Sequence, residues 1–133
     1  MRNIICTTLV ISLLAIAGIA VAGGTAAPLS TPELKQTIGA GGKSTLVFFQ
    51  NPYGGPCKMQ KEVLDKLRMD RKGNFNFASV STMKQEDQKA FYDYGIRSLP
   101  SLVLVDRSGK IARVFPPGIQ GIETLASALN GLK

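Results

Sequence analysis

The side chain best suited to chemistry in this sequence is the thiol of Cys57, which ends the stretch Asn51-Pro52-Tyr53-Gly54-Gly55-Pro56-Cys57. A continuous apolar run precedes that stretch, and a segment with helical periodicity follows it. The pattern predicts that a buried strand ends, the chain turns through proline and glycine, and a helix begins at Cys57. Unpaired N–H groups and the positive dipole end of a helix N-terminus favour a thiolate. We therefore expect any chemistry at this sulfur.

The remaining composition excludes several kinds of site. The chain has 133 residues, no histidine and two cysteines, Cys6 and Cys57. Without histidine, neither Ser/His/Asp nor Cys/His catalysis can be built, and the commonest metal ligand is missing. Two cysteines do not provide zinc or iron–sulfur spacing. We expect one domain with a modest core, and neither a metal nor a cofactor.

The formal net charge is +7. The basic residues form no continuous run and are not accompanied by an aromatic platform, so we expect no nucleic-acid partner. We interpret the charge as a contribution to solubility with a weak preference for acidic partners or anionic lipid headgroups.

The N-terminus has the pattern of an export signal. Arg2 precedes an apolar run from Ile4 to Ile19, and Ala20-Val21-Ala22 is a small-x-small cleavage site. Because Ile4 to Ala22 is also close to bilayer-spanning length, an uncleaved anchor is the alternative. We expect cleavage after residue 22, a linker over residues 23–29 and a domain over residues 30–133. The predicted location is the periplasm, or the outer face of the membrane if the segment is retained.

Two predicted helices and two predicted strands surround the motif. Ser30 is the expected cap of a first helix, with Leu34 and Ile38 facing inward. Residues 44–50 predict a buried parallel strand, and residues 57–68 predict a helix with an apolar face formed by Met59, Val63, Leu64 and Leu67. Residues 75–80 predict a second strand, with Phe75 and Phe77 on one face.

The second half of the chain continues the alternation of predicted helices and strands. Thr82 is expected to open a helix that ends at Gly95. Residues 102–105 predict a strand, residues 106–109 a turn, and residues 110–115 a strand that pairs back as a hairpin. The closing helix has one apolar stripe, made by Ile122, Leu125, Ala126 and Leu129.

The stretch Tyr53-Gly54-Gly55-Pro56-Cys57 resembles the thioredoxin family, whose usual motif is Trp-Cys-Gly-Pro-Cys. A second match is Tyr94-Gly95-Ile96-Arg97-Ser98-Leu99-Pro100, because Pro100 corresponds to a family proline that is cis and faces the motif. The resemblance extends over about residues 30 to 132. It implies an α/β thioredoxin fold, in which a central mixed β-sheet is flanked by helices.

The resemblance also implies roles for individual residues. Cys57 matches the resolving cysteine of the family, and Gly54 occupies the position of the attacking cysteine. The implied substrate-binding residues are Tyr53, Gly55, Pro56, Leu99 and Pro100, with Tyr53 in the apolar rim and the backbone of Leu99 pairing with an extended peptide. Phe48 stands where many members have a buried acidic residue, which further weakens the case for ordinary turnover.

Two functions remain open on these residues. The first is a thiol–disulfide oxidoreductase of the cell envelope that keeps one thiol, with mixed disulfides to protein or small-molecule thiols through Cys57. The second is a redox-inactive module that binds an extended peptide or an envelope protein, with Cys57 as a buried core residue. We expect a monomer in either case, with contact to a membrane only through an uncleaved N-terminal segment.

Overall fold

A computed structural model describes residues 24–132, and the predicted signal or anchor segment over residues 1–22 lies outside them. The strands are β1 (Thr45–Gln50), β2 (Asn76–Ser81), β3 (Ser101–Val105) and β4 (Ile111–Val114). The helices are α1 (Pro32–Thr37), α2 (Gly55–Asp70), α3 (Gln88–Asp93) and α4 (Ile122–Asn130). Short 3-10 turns lie over Ala40–Gly42 and Gln85–Asp87.

The four strands form one mixed sheet in the order β2-β1-β3-β4. β1 is parallel to β2, with Gln50 beside Ser81, and antiparallel to β3, with Phe49 beside Ser101. The C-terminal end of β1 therefore lies at the same sheet end as the start of β3. The sheet thus brings the chain after Gln50 next to the chain before Ser101, which are the two stretches that the sequence singled out.

Apolar side chains pack on both faces of the sheet, as a central strand with five consecutive buried residues requires. One cluster contains Leu46, Phe48 and Cys57 together with the buried residues of α2 and α4. The other contains Val47 and Phe49 with residues of α1 and α3. Phe75 and Phe77 pack against the first cluster, so the prediction that they share a face is confirmed.

The first helix is capped by Thr31, and not by Ser30 as the sequence suggested. The hydroxyl oxygen of Thr31 accepts the N–H of Leu34 at 3.1 Å, with Pro32 at the first helical position. Ser30 instead donates its hydroxyl to Asp93 at 2.6 Å and thereby ties the chain before α1 to α3. The predicted inward positions of Leu34, which is buried, and Ile38, which packs against the second cluster, are confirmed.

The predicted helix start at Thr82 is wrong. The segment after β2 first makes a 3-10 turn, and α3 begins only at Gln88. The reason is the Asp87 carboxylate, which is buried and accepts the N–H of Ser81 at 2.8 Å, so the chain folds back onto the end of β2. Gly95 follows α3 with φ +65°, the left-handed conformation that suits glycine after a helix, as predicted.

The hairpin and closing helix agree with the sequence. Residues 106–109 form the turn. The Asp106 carboxylate accepts the N–H groups of Ser108 and Lys110 at 2.9 and 3.0 Å. Before α1, the chain runs beside this turn, with Ala27 donating to the Gly109 carbonyl and Ile111 donating to the Thr25 carbonyl. Within residues 24–132, none of the helices combines the length and apolar character that crossing a membrane demands.

Tyr94 joins α3 to the chain before α1, because its hydroxyl donates to the Pro28 carbonyl at 2.8 Å. Burial, with the neighbouring Asp93 carboxylate as a second cause, raises the pKa of Tyr94 from 10.0 to about 12. The folded chain therefore holds this proton between pH 10 and 12, where the unfolded chain releases it. The contribution to stability is complete below pH 10 and is lost as the pH rises to 12.

We expect Tyr94→Phe to lower the free energy of unfolding at pH 8 by about 1 kcal/mol, the net worth of one hydrogen bond. The same change should remove a loss of roughly 1–2 kcal/mol between pH 10 and 12, an amount already reduced for solvent screening. Urea denaturation at pH 8, 10 and 11.5 measures both effects, with the exposed Tyr92→Phe as the matched control. An unchanged pH dependence in Tyr94→Phe would contradict the assignment.

Candidate functional site

The turn between β1 and α2 is organised by Asn51. Its carbonyl accepts the N–H of Gly54 at 2.9 Å, and its side-chain oxygen accepts the N–H of Tyr53 at 3.1 Å. Its own N–H points at the sulfur of Cys57, with a nitrogen–sulfur distance of 3.5 Å. One residue thus closes the turn and holds the thiol. The Asn-Pro pair is a turn signal in the sequence, but its contact with the sulfur was missed.

The helix begins at Gly55, two residues earlier than predicted, so Cys57 lies within its first turn. Its buried residues are Cys57, Gln60, Leu64 and Leu67. Met59 was predicted on the apolar face, but it is 58% exposed. The buried stripe is rotated by one position because Gln60, a polar residue, occupies the place that the apolar pattern assigned to Met59.

The thiol of Cys57 is buried, with 3% of the residue exposed. It belongs to the same apolar cluster as Phe48, Phe115 and Leu125. The aromatic ring of Phe48 thus lies in this cluster, at the position where many members of the family have a buried acidic residue. No side chain at residue 54 covers the sulfur, and yet the sulfur remains inaccessible.

Gly54 has ordinary backbone angles, φ −75° and ψ 133°, which any residue can adopt. A Cβ atom at this position would lie 3.7 Å from the sulfur of Cys57 and 3.3 Å from the carbonyl oxygen of Asn51. The second contact is close, so the turn would move by a few tenths of an ångström. Apart from that adjustment, a side chain fits at residue 54 and would point beside the Cys57 thiol.

Leu99 and Pro100 form the other wall of the site. The peptide bond between them is cis, and the Pro100 carbonyl accepts the N–H of Gly118 at 3.0 Å. Leu99 is half-buried and packs against both apolar clusters. Within residues 24–132, no hydrogen bond uses the N–H or carbonyl of Leu99. Both groups therefore lack a backbone partner within these residues, and their pairing with an added chain stays a prediction.

Gln60 is a residue of the site that the sequence analysis missed. It is fully buried, and its side-chain amide donates to the Gln120 carbonyl at 3.1 Å and accepts the Gln120 N–H at 2.6 Å. It thereby fastens the loop before α4 to the helix that carries Cys57, while Gly118 fastens the same loop to Pro100. The sequence did contain a signal for this role, because Gln60 is a polar residue at helical spacing from Cys57, Leu64 and Leu67.

The structure brings Cys57, Leu99 and Pro100 to one end of the sheet. Gly55 and Pro56 are exposed in the first turn of α2, and Tyr53 is 75% exposed beside them. Their roles in substrate binding stay predictions. Lys58 follows the thiol and is exposed. Among residues 24–132, no group of three or more cysteine, aspartate or glutamate side chains is arranged to hold a metal ion.

Replacing Gln60 by methionine keeps the side-chain volume and removes both hydrogen bonds to Gln120. We expect the free energy of unfolding to fall by roughly 1–3 kcal/mol, because the Gln120 N–H and carbonyl lose their partners. Urea denaturation measures the loss. Lys61→Met, on the exposed side of the same helix, should change it by less than about 1 kcal/mol. Equal effects of the two changes would show that the Gln60 amide does not hold the loop.

Comparison with known proteins agrees with this geometry. The family model described as Thioredoxin matches residues 25–130. Thioredoxin 1 of Nostoc sp. is 30% identical over 89 residues, which cover 67% of this chain and 81% of that protein. Thioredoxin of Pyropia yezoensis is 29% identical over 98 residues, which cover 74% of this chain and 88% of that protein.

A solved structure, the X-ray structure of Fasciola hepatica thioredoxin, superposes with a TM-score of 0.59 at 22% sequence identity. The superposition covers 69% of this chain and 83% of that chain. This likeness concerns the fold, and it agrees with the mixed four-stranded sheet and its flanking helices. Together with the family match over nearly the whole described region, it shows that the chain belongs to the thioredoxin family and has the thioredoxin fold.

Proposed function

We propose that this protein is an exported thioredoxin-family thiol protein whose disulfide chemistry is limited to the sulfur of Cys57. The observation that carries the proposal is the geometry at Gly54. The turn, the helix N-terminus and the Leu99–Pro100 wall surround a position that accommodates a side chain beside the Cys57 sulfur, and that position holds a glycine. The framework for thiol–disulfide exchange is thus present without its second sulfur.

The chemistry available to one sulfur is a single exchange. The Cys57 thiolate attacks a partner disulfide, a bond forms between Cys57 and one partner sulfur, and the other partner sulfur leaves as a thiolate. Cys57 is the only cysteine among residues 24–132, so the mixed disulfide is released only by an external thiol. Because the sulfur is buried, the exchange also requires local opening of the Asn51 turn. Catalytic turnover is therefore absent or very slow.

The proposed partners are proteins or small molecules with thiols or disulfides. An extended polypeptide would pair with the free N–H and carbonyl of Leu99, which lie beside the motif. The proposed location outside the cytoplasm is supported by the export pattern over residues 1–22 and agrees with the oxidising compartments in which disulfide chemistry is common.

Gly54→Cys should restore a dithiol and create disulfide reductase activity. The Cβ at residue 54 would be 3.7 Å from the Cys57 sulfur, and a disulfide needs about 3 Å, so a small movement of the turn suffices. We expect an internal disulfide between residues 54 and 57 after oxidation. We also expect insulin reduction with dithiothreitol to rise roughly tenfold or more above the unaltered protein.

Two controls separate the restored dithiol from other effects of the substitution. Gly54→Ser introduces a side chain of similar size without sulfur and should remain inactive. Gly54→Cys combined with Cys57→Ser keeps one thiol in the attacking position and should form mixed disulfides without turnover. If Gly54→Cys folds, forms the internal disulfide and still reduces no insulin, the proposed framework for exchange is wrong.

A second candidate function is a redox-inactive binding module, and the burial of Cys57 specifically favours it. A cysteine that is 3% exposed and belongs to one cluster with Phe48, Phe115 and Leu125 has the surroundings of an inert core thiol. In this case the free backbone of Leu99 binds a polypeptide, and the thiol contributes only to packing.

Alkylation of Cys57 in the folded chain and peptide binding by Cys57→Ser together distinguish the two candidates. If local opening of the turn costs about 3 kcal/mol, alkylation of Cys57 is slowed roughly a hundredfold relative to the unfolded chain. We expect at least this degree of protection in the folded chain. Peptide mass spectrometry resolves Cys57 from Cys6. Labelling as fast as in urea would show an accessible thiol and exclude the inert role. Cys57→Ser that folds and binds peptide normally would support the binding module.

A further inference from the structure

We propose that the protein rests against an anionic membrane surface through a basic pole at the end of the sheet opposite Cys57. The basic pole consists of Lys43, Arg68, Arg71, Lys72 and Arg107. These residues come from the chain before β1, the last turn and C-terminal end of α2, and the turn after β3. The inference does not depend on the reactivity of Cys57.

The residues of the basic pole surround one depression in the surface. Lys43, Arg71 and Arg107 line a cavity of about 410 Å³ between the start of β1 and the ends of α2 and α4. Arg68, Arg71 and Lys72 line a groove that shares Arg71 and Phe75 with it. Five cations from three separate segments therefore face one region.

The charge of the basic pole is only partly neutralised by neighbouring carboxylates. The ion pairs among residues 24–132 are Lys61 with Asp65 and Lys89 with Asp93, and neither involves the basic pole. The Asp106 carboxylate is engaged by the Ser108 N–H and hydroxyl and by the Lys110 N–H, which hold its pKa below the usual value. Asp65 lines the groove beside Arg68, and Asp70 lies in the last turn of α2. With Asp106, three carboxylates stand against the five cations, and a net positive charge remains.

Stabilisation of helix C-terminal ends accounts for only part of the positive charge of the basic pole. Arg71 donates to the Ala126 carbonyl and the Asn130 side chain, so it stabilises the C-terminal end of α4. The guanidinium of Arg68 lies 4.4 Å from the centre of the Phe77 ring. Lys43, Lys72 and Arg107 are exposed, and their side chains donate no hydrogen bond within the described part of the chain. These three side chains remain available to an anionic surface.

The membrane is the favoured partner because of where the N-terminal segment joins the domain. The described chain begins at Gly24, and Thr25 and Ala27 are hydrogen-bonded to the chain just after the turn that carries Arg107. Ala26, Ala27 and Arg107 also line one groove. The apolar residues 4–22 therefore precede a point beside the basic pole. This argument rests on the form that retains residues 4–22 as an anchor, the alternative to cleavage. In that form, a membrane reached by the segment would meet the basic pole and leave the Cys57 end facing outward.

A lysine footprint of the full-length chain tests this orientation. The chain is mixed with vesicles of phosphatidylcholine alone or with about 30% phosphatidylglycerol, and acetylation is followed by mass spectrometry. We expect acetylation of Lys43, Lys72 and Lys110 to slow about threefold or more only with phosphatidylglycerol. Lys58 and Lys84, at the Cys57 end, should be unaffected. Salt at about 0.5 M should abolish the protection.

Charge reversal gives the matched comparison. The combination Lys43→Glu, Lys72→Glu and Arg107→Glu should remove the protection of Lys110, whereas Lys58→Glu, Lys84→Glu and Arg97→Glu should leave it intact. All six positions are exposed, so thermal unfolding should be little changed.

Three outcomes would overturn the inference. They are no protection with phosphatidylglycerol, equal protection of Lys58 and Lys84, and equal protection of the basic pole by a DNA duplex without lipid, which would indicate general binding of polyanions.

Discussion

The position of β1 at the centre of the sheet is the constraint on which the other features depend. It pairs in parallel with β2 and antiparallel with β3, and it is buried on both faces. These pairings set the end of β1 beside the start of β3. The Asn51 turn and the Leu99–Pro100 segment consequently meet at one sheet end, although they are far apart in the sequence. A shift of β1 by one residue would turn Phe48 and Phe49 to the opposite clusters and misplace the turn.

The thiol is held by contacts that do not involve residue 54. Asn51 closes the turn with its carbonyl and side chain and directs its N–H to the sulfur, while Phe48 and the residues of α2 and α4 enclose it. The backbone at Gly54 has angles common to all residues. Under the proposed function, a glycine at this position leaves out a reacting group and keeps the supporting structure in place. The family fold and catalytic competence would then be separable in this chain.

The elements that depend on local pattern were predictable, and those that depend on remote partners were not. The strands β1 and β3 are predictable because their successive residues are apolar and buried. The helix α4 is predictable because its apolar residues recur every three or four positions. Met59 was placed on the wrong face because the partner of Gln60 is the backbone of Gln120, which lies 60 residues later in the sequence. Likewise, Thr82 has the spacing of a helix cap, but Asp87 binds the end of β2 instead. The motif was visible in the sequence, whereas the burial of its sulfur required the packed structure.

The two ends of the sheet differ in chemistry because of their chain connections. At the end with Cys57, the strand-to-helix turn and Leu99 expose backbone groups and apolar side chains, which suit an extended polypeptide. At the opposite end, α2 and α4 finish, and their partially negative C-terminal ends favour nearby cations. Among residues 24–132, Arg71 is the cation that uses its charge in that way, through hydrogen bonds to α4. In the proposed orientation, the remaining lysine and arginine side chains meet anionic lipid. The described chain enters the domain beside Arg107, at this same end. A domain arranged in this way separates the surface that would contact lipid from the surface that would contact its partner.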